Sequence, residues 1–197
     1  MGATKIARIA NHDRCTLHCM PPLRIDLDEI VLRRENLADA PVVAEAIASN
    51  IPRLAPWMEW AVEDATPVAT QESRIADSLA QWDSGSMFDY MIADGSGDEF
   101  LGKAGIRLAG PDHATIGYWV TEDAEGRGIV TRVARALTAL AAELDGIVRV
   151  EIHCDAANDR SRAVPERLGY RLDRVIDHPI TTSHQTGRQM IWIYDAS

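Results

Sequence analysis

The chain has little cysteine, no long apolar run and a shortage of positive charge, and each lack excludes something. Three cysteines in 197 residues, Cys15, Cys19 and Cys154, are an odd number without framework spacing, which argues against a secreted, disulfide-built domain. No run of about 18 apolar residues exists to cross a membrane. The opening MGATKIARIANHDR contains no apolar core of a signal peptide, so a cytoplasmic location and no membrane partner are expected. Twenty Lys and Arg against thirty Asp and Glu give a formal net charge of -10. That balance disfavours nucleic acid and, taken over the whole chain, favours a cationic small amine or basic peptide as a partner. Repeats and low-complexity tracts are absent too.

What is present is enough apolar material, 46%, for one well-filled core. Met1 to Pro22 has no apolar period and ends in Pro21-Pro22, so residues 1–22 read as an appended, flexible arm and 23–197 as a single domain. His12, Cys15, His18 and Cys19 cluster within that arm, but no second ligand pair stands at a zinc-finger spacing, and no metal is expected. Alternation in the stretch LDEIVLRR predicts a first strand. Helical spacing predicts helices over Asn36 to Ser49, started by Asp39 before Pro41, and over Thr70 to Trp82. Three strands follow, FDYMIAD, EFLGKAGIRLA and ATIGYWV, then a helix from Gly128 to Leu144, the strand GIVRVEIHCD, a short helix through SRAVPERLG, and strands YRLDRVIDHPI and GRQMIWIYD. This order describes a mixed α/β (α+β) fold around a mostly antiparallel sheet.

Between the third of those strands and the long helix lies EGRGIVT. Glycines before a helix let the backbone curl close to an anion, and the first N–H groups and the helix dipole supply positive charge; Arg127 adds a cation and Thr131 a hydroxyl. The Walker pattern GxxxxGK[ST] is missing, and the Rossmann pattern fails at its third glycine and in its place along the chain. A pyrophosphate seat and a plain helix start both remain.

The second constellation is NDRSRAVPERLGY, Asn158 to Tyr170. Together with GYWVTEDAEGRGIVTR and the earlier PWMEW, in that order, it resembles the GNAT superfamily of acyl-CoA-dependent N-acetyltransferases, and within it the RimJ/RimL-type branch. The likeness runs from about Ile25 to Tyr194. It implies a sheet with helices on both faces, in which the strand of Gly117 to Val120 splays from that of Val148 to Asp155 into a V-shaped slot for acetyl-CoA. By that resemblance, main-chain groups at Val120 would meet the pantetheine arm, and Gly126, Arg127, Gly128, Ile129, Val130 and Thr131 would hold the pyrophosphate. Asn158 would bind the arm and Ser161 would sit by the sulfur.

An amine attacking a thioester needs to lose a proton, and the leaving thiolate needs stabilisation. Many relatives place a tyrosine seven residues after the asparagine for the second task; here the position is Pro165. Ser161 is then the candidate donor, with a helix N-cap as its alternative role. Glu59 and Asp89 are candidates for the general base, with Glu151, Asp155 or a water chain behind them. Trp57, Trp60 and Tyr118 are candidates for the acceptor pocket, and Cys154 reads as packing. Glu125 and Val130 depart from the family turn, where Gln or Arg and a small residue are usual. The expected activity is acetyl transfer to a primary amine in a ternary complex, the acceptor being a protein N-terminus, an antibiotic-like amine or a small amine. A non-catalytic acyl-CoA-binding module on the same fold is the alternative, and a homodimer is compatible with exposed strand edges.

Overall fold

The computed structural model describes residues 20–196; the His12, Cys15, His18 and Cys19 cluster lies outside them. Eight strands form one sheet in the order β1-β2-β3-β4-β5-β6-β8-β7. They are β1 (Arg24–Leu27), β2 (Ile30–Arg34), β3 (Met87–Asp94), β4 (Phe100–Leu108), β5 (His113–Val120), β6 (Arg149–Asp155), β7 (Arg171–Asp177) and β8 (Arg188–Asp195). Four helices join them: α1 (Ala40–Leu54), α2 (Val68–Asp83), α3 (Ile129–Ala142) and α4 (Asp159–Leu168). The expected mixed, mostly antiparallel sheet is therefore present, and its one parallel pair is β5 with β6.

Two local expectations are corrected. The segment around LDEIVLRR is two strands rather than one, because Asp28 adopts a φ of 59° and closes a tight turn that pairs Leu27 with Ile30. Aspartate tolerates this left-handed conformation better than most side chains. The first helix starts later and runs further than Asn36 to Ser49. Residues Leu37–Asp39 form a 3-10 turn capped by Asn36, and α1 continues through Pro52 to Leu54.

Asp39 is accordingly no side-chain cap for α1. Its carboxylate takes two bonds from the Arg33 guanidinium, at 2.8 and 2.7 Å, and one from the Asn36 N–H. Burial alone would raise its proton affinity, but these bonds and the charge of Arg33 hold the carboxyl below its ordinary range. A depressed folded value means that the stabilisation is complete above the unfolded value of about 3.9 and is lost as pH falls through the folded one. Asp39→Asn should therefore lower stability by about 2 kcal/mol at neutral pH. The gap in melting temperature between variant and wild type should narrow below about pH 4; a gap of constant width would remove Asp39 from the account.

Adjacent residues along each strand face opposite layers. Val31, Met91, Ala93 and Trp119 pack under α1, with Val43 and Ile47. Ile92, Ile106, Ile116 and Ile152 pack under α3, with Val133 and Leu137. Helices thus cover both faces, as expected. Trp82 at the end of α2 stacks edge-on against Phe88 and Tyr90, and the Tyr90 hydroxyl donates to the Pro22 carbonyl at 2.8 Å. Among the described residues no helix is long and apolar enough to cross a membrane.

The β5–β6 pairing is short. His113, Ala114 and Thr115 pair with Arg149, Val150 and Glu151, and the ladder then stops. Beyond that point β5 is tied to the first half of the sheet: Trp119 packs against Trp60 and Phe100, and the Thr121 N–H bonds the Leu101 carbonyl at 2.9 Å. β6 instead stays paired with β8 along its length. Opposite anchors pull the two strand ends apart, and a slot opens between them.

Candidate active site

Two cavities meet at this slot. The larger, about 1000 Å³, runs from the turn before α3 to the start of α4 and is lined by Val120, Gly126 to Thr131, Asn158 and Ser161. Every residue expected to hold the cofactor is therefore brought together on one wall or the other. The smaller, about 570 Å³, lies under the α1 side of the sheet and is lined by Trp57, Trp60, Asp89, Gly117 and Tyr118. Trp57, Met58, Tyr118, Trp119, Asn158 and Ser161 line both.

The turn suits a pyrophosphate. Gly126 and Gly128 have φ of 71° and 70°, and a Cβ at either would meet nothing within 4 Å, so their backbones are open to an approaching group. Gly128 is the N-cap and has no side chain to satisfy the helix start. The first backbone N–H of this region with a main-chain acceptor in the turn is that of Arg132, bonded to Gly128. Unpaired donors at a helix N-terminus are an anion seat. Val130 packs its side chain against the core, so its size leaves the backbone donors clear.

Glu125 is neutralised within the fold. Its carboxylate takes bonds from Arg53, at the end of α1, and from Arg160, in the first turn of α4. Arg53 also donates to the Val120 carbonyl. The carbonyl of Val120, whose main-chain groups were expected to meet the pantetheine arm, is thus engaged by a guanidinium. Two arginines offset the negative charge that a bare glutamate would place beside a pyrophosphate. This clamp was invisible in the sequence because Arg53 stands 72 residues from Glu125.

At the start of α4 the roles of Asn158 and Ser161 separate. Asn158 is the N-cap, its side-chain oxygen accepting from the Ser161 N–H at 3.0 Å. Ser161 is therefore not the cap, and its hydroxyl is released from that duty. The amide nitrogen of Asn158 remains free to donate into the cleft. Pro165, buried inside α4, has no N–H to give to the carbonyl four residues earlier, that of Ser161. The Tyr118 hydroxyl lies 3.4 Å from that oxygen, a long contact that brings the phenol beside Ser161. Burial pushes the Tyr118 phenol well above its ordinary range, so at neutral pH it stays protonated and keeps an O–H to donate.

In the smaller cavity, pairing places Asp89 beside Gly105 and Gly105 beside Gly117. A Cβ on Gly105 would come within 2.1 Å of an Asp89 oxygen, whereas one on Gly117 would meet open space. The two glycines make a bare floor over which Asp89 reaches. Burial raises the proton affinity of Asp89, and Lys103, Arg107 and a 3.4 Å bond from Ser78 partly offset it. Glu59, the other expected carboxylate, is exposed and lines neither cavity. Asp155 has its oxygens committed to Ala157 and Thr186. Burial pushes the Cys154 thiol up, in keeping with a packing role.

Trp57 and Trp60 line the smaller cavity, and each also has a structural task. Trp60 stacks on Trp119. Trp57 meets the His184 ring edge-on, where the loop between β7 and β8 docks through Thr182 and His184 onto the Pro56 carbonyl. Arg74 and Arg107 line the cavity beside Asp89 and Asp155, so the acidity of the whole chain does not set its local sign. Isolated glycines within strands were the one available signal of the floor.

The family model described as an acetyltransferase (GNAT) domain matches residues 29–171. YdaF of Bacillus subtilis (strain 168), named as a ribosomal N-acetyltransferase, is 32% identical over 144 residues, 73% of this chain and 78% of that protein. Among solved structures, the ribosomal L7/L12 alpha-N-protein acetyltransferase RimL, in complex with coenzyme A, superposes with a TM-score of 0.78 at 20% identity, covering 88% of this chain and 96% of its own. The microcin C7 self immunity acetyltransferase MccE, in complex with acetyl-CoA and AMP, gives 0.80 at 23% identity over 89% and 98%.

Proposed function

This chain belongs to the GNAT acetyltransferase family and is an acetyl-CoA-dependent N-acetyltransferase, and from that premise we propose that its acceptor is the α-amino group at the N-terminus of a peptide or protein. The observation that carries the reading is the meeting of the two cavities at Tyr118, Asn158 and Ser161. A thioester reaching the slot from the glycine turn would present its carbonyl to an amine standing over Gly117.

The residues divide the work. Backbone donors from Gly126 to Thr131 seat the pyrophosphate, with Arg127 nearby. The Asn158 amide holds the pantetheine arm. The Ser161 hydroxyl donates to the sulfur as negative charge develops on it. Asp89 draws the amine over the glycine floor, and Trp57, Trp60 and Tyr118 wall the cavity. Arg74 and Arg107 suit the carbonyls and acidic side chains of a chain that follows the amine. They weigh against a polycationic acceptor, and the ribosomal acetyltransferase relative points the same way.

The test is acetylation of short peptides with a free N-terminal serine or alanine, read by mass spectrometry together with thiol release from acetyl-CoA. Controls are the same peptides with blocked N-termini and the diamine cadaverine. Acetylation of the free α-amino group alone is expected. Modification of cadaverine alone would move the acceptor to small amines, and bound acetyl-CoA without thiol release for any amine would make the domain a binding module.

A further inference from the structure

The row that begins at Asp89 and crosses Gly105 and Gly117 continues across the slot. Thr115 pairs with Glu151, so His153, two residues further along β6, stands across from Gly117. It lines the same cavity as Gly117, Tyr118 and Ser161. The imidazole is held in a fixed way: Nε2 lies 2.7 Å from one oxygen of Glu151, whose side chain is 2% exposed, and Arg149 Nε bonds the other oxygen at 3.0 Å. Burial alone would raise the Glu151 carboxyl, but its bonds from His153 and Arg149 hold it below its ordinary range. An ionised carboxylate only accepts, so Nε2 carries the hydrogen and Nδ1 carries the free lone pair.

We propose that His153, oriented by the buried Glu151, is the general base that takes the proton of the acceptor amine as it attacks the thioester. The inference rests on the acetyltransferase reading above and adds the residue that completes it. The amine nitrogen bonds to the carbonyl carbon, its N–H proton passes to Nδ1, and the C–S bond breaks with its electron pair going to sulfur. Ser161 donates to that sulfur, which takes a proton from solvent as His153 returns its own. The alternatives are occupied elsewhere: Asp155 is bonded to Ala157 and Thr186, and Glu151 to Arg149 and His153. Asp89, across the bare floor, is left to orient the neutral amine by accepting one of its N–H bonds. The charged groups facing this space are Arg74 from α2, Asp89 from β3, Lys103 and Arg107 from β4, and Glu151 and Asp155 from β6 itself. Lys103 is paired with Glu35 at 2.9 Å. β5 offers Thr115, Gly117 and Trp119 on this side and, beyond the cavity, His113, which lies 3.4 Å from Arg149; β8 offers the uncharged Gln189.

The test is the pH profile of kcat/KM for an N-terminal serine peptide in the full chain, with acetyl-CoA affinity measured by calorimetry. A neutral imidazole is required, so the wild-type value should rise with pH along a limb that levels off. His153→Gln should lower it about 100-fold, abolish that limb and leave acetyl-CoA affinity unchanged. Glu151→Gln keeps the imidazole but loosens its orientation, so it should lower the rate less. Should Glu151→Gln fail to fold, the solvent-accessible His153→Gln decides alone. A His153→Gln enzyme with wild-type kcat/KM and an unchanged limb overturns the assignment while the acetyltransferase reading stands. A wild-type protein that binds acetyl-CoA but acetylates no peptide and no diamine overturns both.

Discussion

Replacing Ser161 by alanine is expected to lower kcat about 100-fold, the size of effect seen when one donor to a developing anion is removed, with little change in acetyl-CoA affinity. The reason lies in how α4 begins. Had Ser161 been the N-cap, its loss would cost helix stability and would blur the reading of activity. Asn158 holds the cap instead, through the Ser161 main-chain N–H, and alanine keeps that N–H. Single-turnover measurement of thiol release separates the chemical step from binding. Wild-type turnover in the variant would reassign the thiolate's partner to Tyr118, whose hydroxyl already lies 3.4 Å from the Ser161 carbonyl. Pro165 frees that carbonyl from the helix. The tyrosine usual at this point of the motif is therefore lost, and a phenol from β5 stands in the same neighbourhood.

Gly117→Val should abolish acetyl transfer to peptides, by more than about 100-fold, while the chain folds and still binds CoA. A Cβ at this position meets nothing within 4 Å, and β-branched residues suit a strand, so the fold has no ground for objection. The added isopropyl group would fill the floor between Asp89 and His153 where the amine must stand within reach of the thioester; a displacement of one ångström there is already costly. Gly105 offers the contrast, since any Cβ there strikes Asp89 and confounds packing with function. Melting temperature and CoA affinity near wild type, combined with lost peptide acetylation, is the expected result. Retained transfer would mean that the acceptor approaches from elsewhere.

The elements and motifs were legible because their signals are local. A left-handed φ at Gly126 and Gly128 is open to glycine at little cost, so the turn announced itself in EGRGIVT. The alternation of β3 to β6 and the helical spacing of α2 and α3 likewise lie within single segments. The break at Asp28 was missed because apolar alternation continues on both sides of it, and the alternation itself carries no mark of a turn made by one aspartate. The late start of α1 was missed because Asp39 is an ordinary helix starter whose carboxylate is drawn away by Arg33, a residue of the preceding strand.

The sequence by itself determined the fold class, the glycine turn before α3 and the order of motifs that mark an acetyltransferase, since each depends on neighbours along the chain. Tertiary structure alone decided what happens to charge and protons. The Arg53 and Arg160 clamp on Glu125, the freeing of the Ser161 hydroxyl and the row from Asp89 to His153 all join residues from different elements. Their partners are chosen by strand register and by the splay of β5 from β6. Register is a property of the assembled sheet: shifting one strand by a residue would turn Asp89, Gly117 or His153 to the opposite face and leave the same sequence without its site.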